Sequence, residues 1–291
     1  MSDERPGPRV LAAQLDPADP PARLGEWLAA AGAELTVWDA RDEPAPDAAQ
    51  FDAVVIMGGC SSANATPAEA PWLAPVRAML AGALRDGQPV LGIGLGAQLL
   101  AVAAGGRVEP GDEGPELGPQ LVAKRTAAAD DPLLRSAPIT PDVVQWHHEA
   151  VTMLPPGATL LASSPSYPNQ AFRVGRLAWG FQFHIEATRA TLAQWAADDP
   201  AAADYDVQRL LDRVSAVEDD LAETWAPVAA AFVDVARDPA AVGAQPPVAA
   251  STAQPIMDPA QIRAALAAEA HAARGGPVPL APPTIRPRET P

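Results

Sequence analysis

Two apolar periods alternate along the first third of the chain. Short runs suited to buried strands, Arg9 to Gln14, Glu34 to Trp38, Phe51 to Met57 and Pro89 to Ile93, are separated by stretches whose apolar residues recur at helical spacing. Within Pro20 to Ala31, Leu24, Trp27 and Leu28 fall on one face; within Pro71 to Arg85, Trp72, Val76, Met79 and Leu80 share a stripe. Strands alternating with helices of roughly 10 to 15 residues need right-handed crossovers, which predicts a mainly parallel sheet covered on both faces. After residue 107 the pattern shortens to β-like pieces: Leu117 to Lys124, Asp142 to Trp146, Thr159 to Ala162, Gln170 to Val174 and Leu177 to Phe183. Glycines and prolines punctuate them, so they are expected to extend the sheet and add a small antiparallel section. Ala187 to Ala197 and Asp206 to Ala236 are helical, and Pro227 is expected to kink or divide the second of these.

From Asp238 onward the large apolar residues give way to Ala and Pro, leaving little to offset the entropy of ordering the backbone. This predicts a folded domain over residues 1–237, with its last helices in 187–237, and an Ala/Pro-rich flexible tail over 238–291. Inside the tail, Asp258 can cap and Pro259 suits a first helical turn, while Gly275-Gly276 can end a short solvated helix over 259–274. A partner-docking helix is the alternative there.

Charge and cysteine usage narrow the partners. A formal net charge of -16 argues against nucleic acid and anionic membrane surfaces, which both need basic protein surface. One cysteine, Cys60, excludes an internal disulfide framework and a cysteine metal cluster, and no apolar run approaches the roughly 18 residues of a membrane span. A cytoplasmic protein without metal or cofactor is expected.

The stretch Pro89-Val-Leu-Gly-Ile-Gly-Leu-Gly-Ala-Gln98 has the form of a nucleophile elbow: a buried strand, a glycine-rich turn, then a helix-forming run from Ala97 to Ala104. The position at the turn is Gly94, which has no side chain with which to attack a substrate. A glycine enters the positive-φ conformation of such a turn almost freely, so the fold is expected to survive it. Farther on, Trp179-Gly-Phe-Gln-Phe-His-Ile-Glu186 sets His184 and Glu186 two residues apart after an apolar strand, on one side of the chain. A carboxylate so placed orients an imidazole and stabilises its charged form. Taken alone, such a pair also suits a structural histidine at a sheet edge. His147 and His148, beside Glu149, point to opposite faces of a strand and are read as structural or substrate-edge residues, and Trp146 as core.

With these motifs in order, the chain resembles the class I glutamine amidotransferases, and within them the GMP-synthase-like stand-alone domains, over about residues 8 to 200. The family's elbow, Gly-Ile-Cys-Leu-Gly-Ala-Gln, matches Gly92-Ile93-Gly94-Leu95-Gly96-Ala97-Gln98 except at the cysteine. Ile56-Met57-Gly58-Gly59 is similar to its glycine loop, Gln145 to Glu149 to its Trp-His segment, and Asn169 to Phe172 to the run before its final motif, where Ile185 replaces a usual proline. The resemblance implies a flavodoxin-like α/β/α fold and hydrolysis of the glutamine side-chain amide through a cysteine thioester. It also implies that His184 is the base and Glu186 its orienter, that Gly58, Gly59 and Leu95 bring the oxyanion-binding backbone, and that Gln98 contacts substrate. Gly94 closes the thioester route. Cys60, just after the glycine loop, is the one candidate substitute thiol. Two readings follow: a domain without glutaminase activity that retains a pocket for a glutamine-like or glutamate-like molecule or a partner, and an active amidotransferase or γ-glutamyl amide hydrolase using another nucleophile or water. No phosphate-binding loop lies in residues 201 to 291, so a synthetase or ammonia acceptor would be a separate polypeptide.

Overall fold

The computed structural model describes residues 6–243. The expected alternation forms in chain order: β1 (Arg9–Gln14), α1 (Ala22–Ala30), β2 (Glu34–Asp39), β3 (Ala53–Ile56), α2 (Leu73–Asp86), β4 (Val90–Ile93) and α3 (Leu95–Ala103). Then come β5 (Arg107–Pro110), β6 (Glu116–Leu121), β7 (Ala123–Lys124), β8 (Asp142–His147), β9 (Glu149–Met153), β10 (Thr159–Ser163), β11 (Ala171–Val174) and β12 (Ala178–Phe181). Helices α4 (Arg189–Asp198) and α5 (Val207–Arg237) follow.

The main sheet has eight strands in the order β2-β1-β3-β4-β12-β11-β10-β7. The run from β2 to β12 is parallel, and β12-β11-β10-β7 is antiparallel. Side chains alternate across it with the period of a strand. Val10 and Ala12 of β1 join Val55, Ile93, Phe181 and the inner faces of α1 and α5, while Leu11 and Ala13 join Val54, Ile56 and the inner faces of α2 and α3. The result is the three-layer α/β/α arrangement expected from the sequence, and the parallel order is that of a flavodoxin-like sheet.

Beyond residue 107 the strands do not all extend that sheet. Arg107–Pro110 pairs with Glu149–Met153, and Glu116–Leu121 pairs with Asp142–His147, as two separate antiparallel ribbons. The strands β5 and β9 escape a reading by periodicity because β5 buries only Val108, and β9 only Ala150 and Val151. The run Leu117 to Lys124 breaks at Val122, so only its last two residues reach the main sheet.

Pro227 does not divide α5, which is continuous over 31 residues. Pro227 lies on the outer side of the helix, so the lost amide and the freed carbonyl one turn earlier can meet water, while Trp225, Val228 and Phe232 bury the opposite face. After α5 a 3-10 turn, Pro239–Ala241, and a buried Val242 continue the packed body, with the Arg176 guanidinium donating to the Val242 carbonyl. The remainder of the expected tail, including the helix over 259–274, lies outside the described residues.

Candidate functional site

The C-terminal ends of β1, β3, β4 and β12 converge on one cavity of about 480 Å³. This is where parallel α/β sheets place ligands, because the strand ends there open toward helix N-termini. Gly94 stands between β4 and α3 with φ 53° and ψ -116°. Its amide donates to the Phe181 carbonyl at 2.8 Å, and its carbonyl accepts from the amides of Ala97 and Gln98 at 3.0 and 3.1 Å. The elbow is thus pinned to β12 on one side and to its own helix on the other. The first amides of α3, at Leu95 and Gly96, have no intrahelical carbonyl to reach, and the helix dipole adds partial positive charge there.

His184 is fixed by its backbone, which exchanges hydrogen bonds with Val144 at 2.8 and 3.1 Å. Its Nδ1 lies 2.7 Å from Glu186 Oε1, so the two-residue spacing does bring both side chains together. The ring is buried, packs 4.6 Å from Trp195, and turns its far edge toward Gly94. A Cβ built on Gly94 would stand 2.9 Å from both Cε1 and Nε2 of His184. The imidazole therefore lies against the elbow, in space that a nucleophile side chain would contest.

A third acid, Asp19, was not singled out from the sequence. It comes from the loop after β1, is 3% exposed, and puts Oδ1 3.9 Å from His184 Nδ1. The available signal was positional: an acid just past the end of a central parallel strand faces the ligand side of such a sheet. Gly58 makes room for it, since a Cβ on Gly58 would fall inside the Asp19 carboxylate and 2.7 Å from His184 Cε1. Burial drives the Asp19 carboxyl well above the ordinary carboxylate range, with Glu186 adding to the effect and His184 opposing it. Burial alone would depress the His184 imidazole, but Glu186 and Asp19 outweigh it and raise its pKa to about 9. At neutral pH the cluster is an imidazolium, a carboxylate and a protonated acid. Asp19, His184 and Glu186 have metal-like spacing, with candidate atoms within 4.8 Å of one another, but Nδ1 is already engaged by Glu186 and the shared protons balance the charge.

Gly59, Leu95 and Gln98 line the same cavity as Gly94 and His184. Gln98 is partly committed: its Nε2 donates to the Glu149 carbonyl at 2.9 Å, which ties α3 to the β9 ribbon. The adjacent histidines diverge as expected. His147 is buried between the Glu149 carbonyl (3.1 Å) and Glu116 Oε2 (3.0 Å), whereas His148 is exposed, 2.8 Å from Asp199 Oδ2. Trp146 corrects the expectation of a core residue. It is half-buried, donates Nε1 to Asp199 Oδ2 at 3.1 Å, and forms a cavity wall with Trp195. A tryptophan at a ribbon end has an apolar body and a polar edge, so period alone does not separate core from cleft.

Cys60 lies on the cavity rim. Its Sγ is 3.0 Å from Asp16 Oδ2 and 3.8 Å from Arg41. Partial burial and the hydrogen bond to Asp16 push the thiol above its ordinary pKa, which keeps it from being a thiolate at neutral pH. Alkylation of Cys60 by iodoacetamide is therefore expected to be slower at pH 7.5 than that of an unperturbed thiol. Asp16→Asn should accelerate it; mass spectrometry of the alkylated protein reads both rates, and equal rates would contradict this picture.

The family described as "Glutamine amidotransferase class-I" matches residues 23–196. GMP synthase of Porphyromonas gingivalis is 41% identical over 104 residues, 35% of this chain and 20% of that protein. The glutamine amidotransferase-like protein YfeJ of Salmonella typhimurium is 33% identical over 147 residues, 49% of this chain and 60% of that protein. The chain thus spans a fifth of the length of the first relative and three fifths of the second. The crystal structure of a glutamine amidotransferase from Thermotoga maritima superposes with a TM-score of 0.71 at 27% identity, covering 78% of this chain and 99% of that one.

Proposed function

Because the chain belongs to the class I glutamine amidotransferases, we propose that it is a member whose elbow lacks the nucleophile, so that it binds a glutamine-like or glutamate-like molecule without hydrolysing it. The observation that carries this reading is Gly94 in the elbow conformation, with φ 53°, directly against a His184–Glu186 pair whose hydrogen bond is 2.7 Å. The orienting and charge-stabilising parts of a covalent amidotransferase site are together there, and the attacking atom is missing. Gly58, Gly59 and Leu95 supply the backbone of an oxyanion site, and Gln98 stands on the substrate side of the same cavity.

Cys60 is poorly suited to supply that atom, since its thiol is raised and hydrogen-bonded to Asp16. A raised His184 pKa also weakens the reading in which His184 activates water, because an imidazolium holds the proton that a general base must accept. Two further relatives, from Halobacterium salinarum and Ignicoccus hospitalis, are each named as one component of a two-part glutamine-hydrolyzing GMP synthase. Their names support a role for this chain beside a separate synthetase or acceptor polypeptide.

The expected result is that purified protein with L-glutamine releases no ammonia above the level of its His184→Gln variant, while calorimetry with glutamine or glutamate shows binding. Steady ammonia release that His184→Gln abolishes would overturn the proposal.

A further inference from the structure

The cavity is divided by charge. Its floor is formed by the first amides of α3 and by His184, whose side chain is only 4% exposed and whose Nε2 edge faces Gly94 with no hydrogen-bond partner among the described residues. Gln182, 1% exposed, lines the same floor, and its Nε2 likewise has no partner among the described residues. These are donors without an acceptor. The rim is the opposite: Asp16, Glu149, Asp198 and Asp199 line it with the faces of Trp146 and Trp195, and among the described residues no Lys or Arg lines the cavity. Asp16 is neutralised by Arg41 at 2.5 Å and Asp199 is engaged by His148, which leaves Glu149 and the exposed Asp198 without a cationic partner among the described residues.

From this division we infer that the pocket selects a carboxylate over the corresponding amide, and that its ligand is an amino-acid-type zwitterion with its side-chain acid on the floor and its ammonium at the rim. The inference rests on the reading of this cavity as a glutamine-like or glutamate-like pocket and names which of the two it prefers. A carboxylate has only acceptor oxygens, matching a floor that has only donors, whereas an amide brings an NH2 group that must face one of them. A cysteine side chain at position 94 would occupy the space between the ring and the ligand; glycine leaves Nε2 free to donate directly. The groups facing the ring from other elements agree: Glu186 from its own strand end, Asp19 from the β1 loop, and the uncharged Trp195 from α4. The two acids hold the ring charged, with a pKa of about 9. Charge-assisted hydrogen bonds exceed neutral ones by enough to give about a tenfold preference.

The test is calorimetric titration of the intact protein with L-glutamate, L-glutamine, 4-aminobutyrate and glutarate. At pH 7 glutamate is expected to bind about tenfold more tightly than glutamine, and 4-aminobutyrate more tightly than glutarate, which lacks the ammonium. The preference for glutamate should fall as pH rises through about 9, where His184 loses its proton. His184→Gln should equalise glutamate and glutamine; the pH series on the unmodified protein serves if that variant does not fold. Glutamine binding as tightly as glutamate at pH 7 would overturn acid selection while leaving the pocket reading intact. Glutarate matching 4-aminobutyrate would overturn the rim assignment. Absence of binding by all four would overturn both this inference and the proposed pocket.

Discussion

Gly94→Cys is expected to release ammonia from glutamine on the order of 10³-fold or more above the unmodified chain, since removing a nucleophile from an otherwise complete triad costs up to about 10⁶ in turnover. The gain is set below that full factor for two structural reasons. A Cβ at position 94 would lie 2.9 Å from the His184 ring, so the imidazole must retreat by a few tenths of an ångström. A non-glycine residue must also adopt φ near 53°, a strain of about 1 to 3 kcal/mol. The ring has room to comply because its side chain is held at Nδ1 by Glu186 and otherwise meets the face of Trp195. Gly94→Ala is the control. It should show the same loss of stability in a thermal melt and no ammonia release. A folded Gly94→Cys protein that binds glutamine and stays inactive would mean that more than the nucleophile is missing from this site.

The second large effect concerns the scaffold. Trp225 is 1% exposed on α5, packs 5.3 Å from Phe183 and 5.8 Å from Phe181, and donates Nε1 to the Asp142 carbonyl at 2.8 Å. It thereby joins the long helix to β12, to the segment leading into His184, and to the start of β8. Trp225→Ala should cost about 3 to 5 kcal/mol, by loss of apolar burial and creation of a cavity. For a domain of this size that is a fall in melting temperature on the order of 10 °C. Trp225→Phe should recover much of the packing but not the hydrogen bond, and so fall between. Denaturant unfolding of the three proteins measures the order; equal stabilities would show that the helix is not anchored through this residue.

How far the chain discloses its own structure depends on how many residues carry each signal. The β1 to α3 half was legible because its strands bury four or more consecutive residues and its helices carry clear stripes, so period 2 and period 3.6 do not compete. The ribbons were less legible because β5 and β9 are short and mostly exposed, and their pairing is set by partners about 40 residues away. The same distinction holds in the candidate site. Gly94, His184 and Glu186 sit in local motifs whose spacing alone predicts their geometry. Asp19 does not, because its proximity to His184 arises from the 165-residue separation that the parallel sheet closes. The charge on His184 was hidden for that reason: a His-x-Glu pair sets one partner, and the second acid that helps outweigh burial is supplied by the fold. Trp146 was read as core because an amphipathic ring at a strand end gives the same sequence pattern whether it faces solvent or packing.

The central claim, that the elbow holds no attacking atom, is tested most directly by intact-mass measurement after incubation with a glutamine analogue carrying an electrophilic diazoketone in place of its amide. The account predicts no covalent adduct on the unmodified chain and one adduct, mapping to position 94, on Gly94→Cys. An adduct on the unmodified chain at any residue lining the cavity, prevented by excess glutamine, would contradict it.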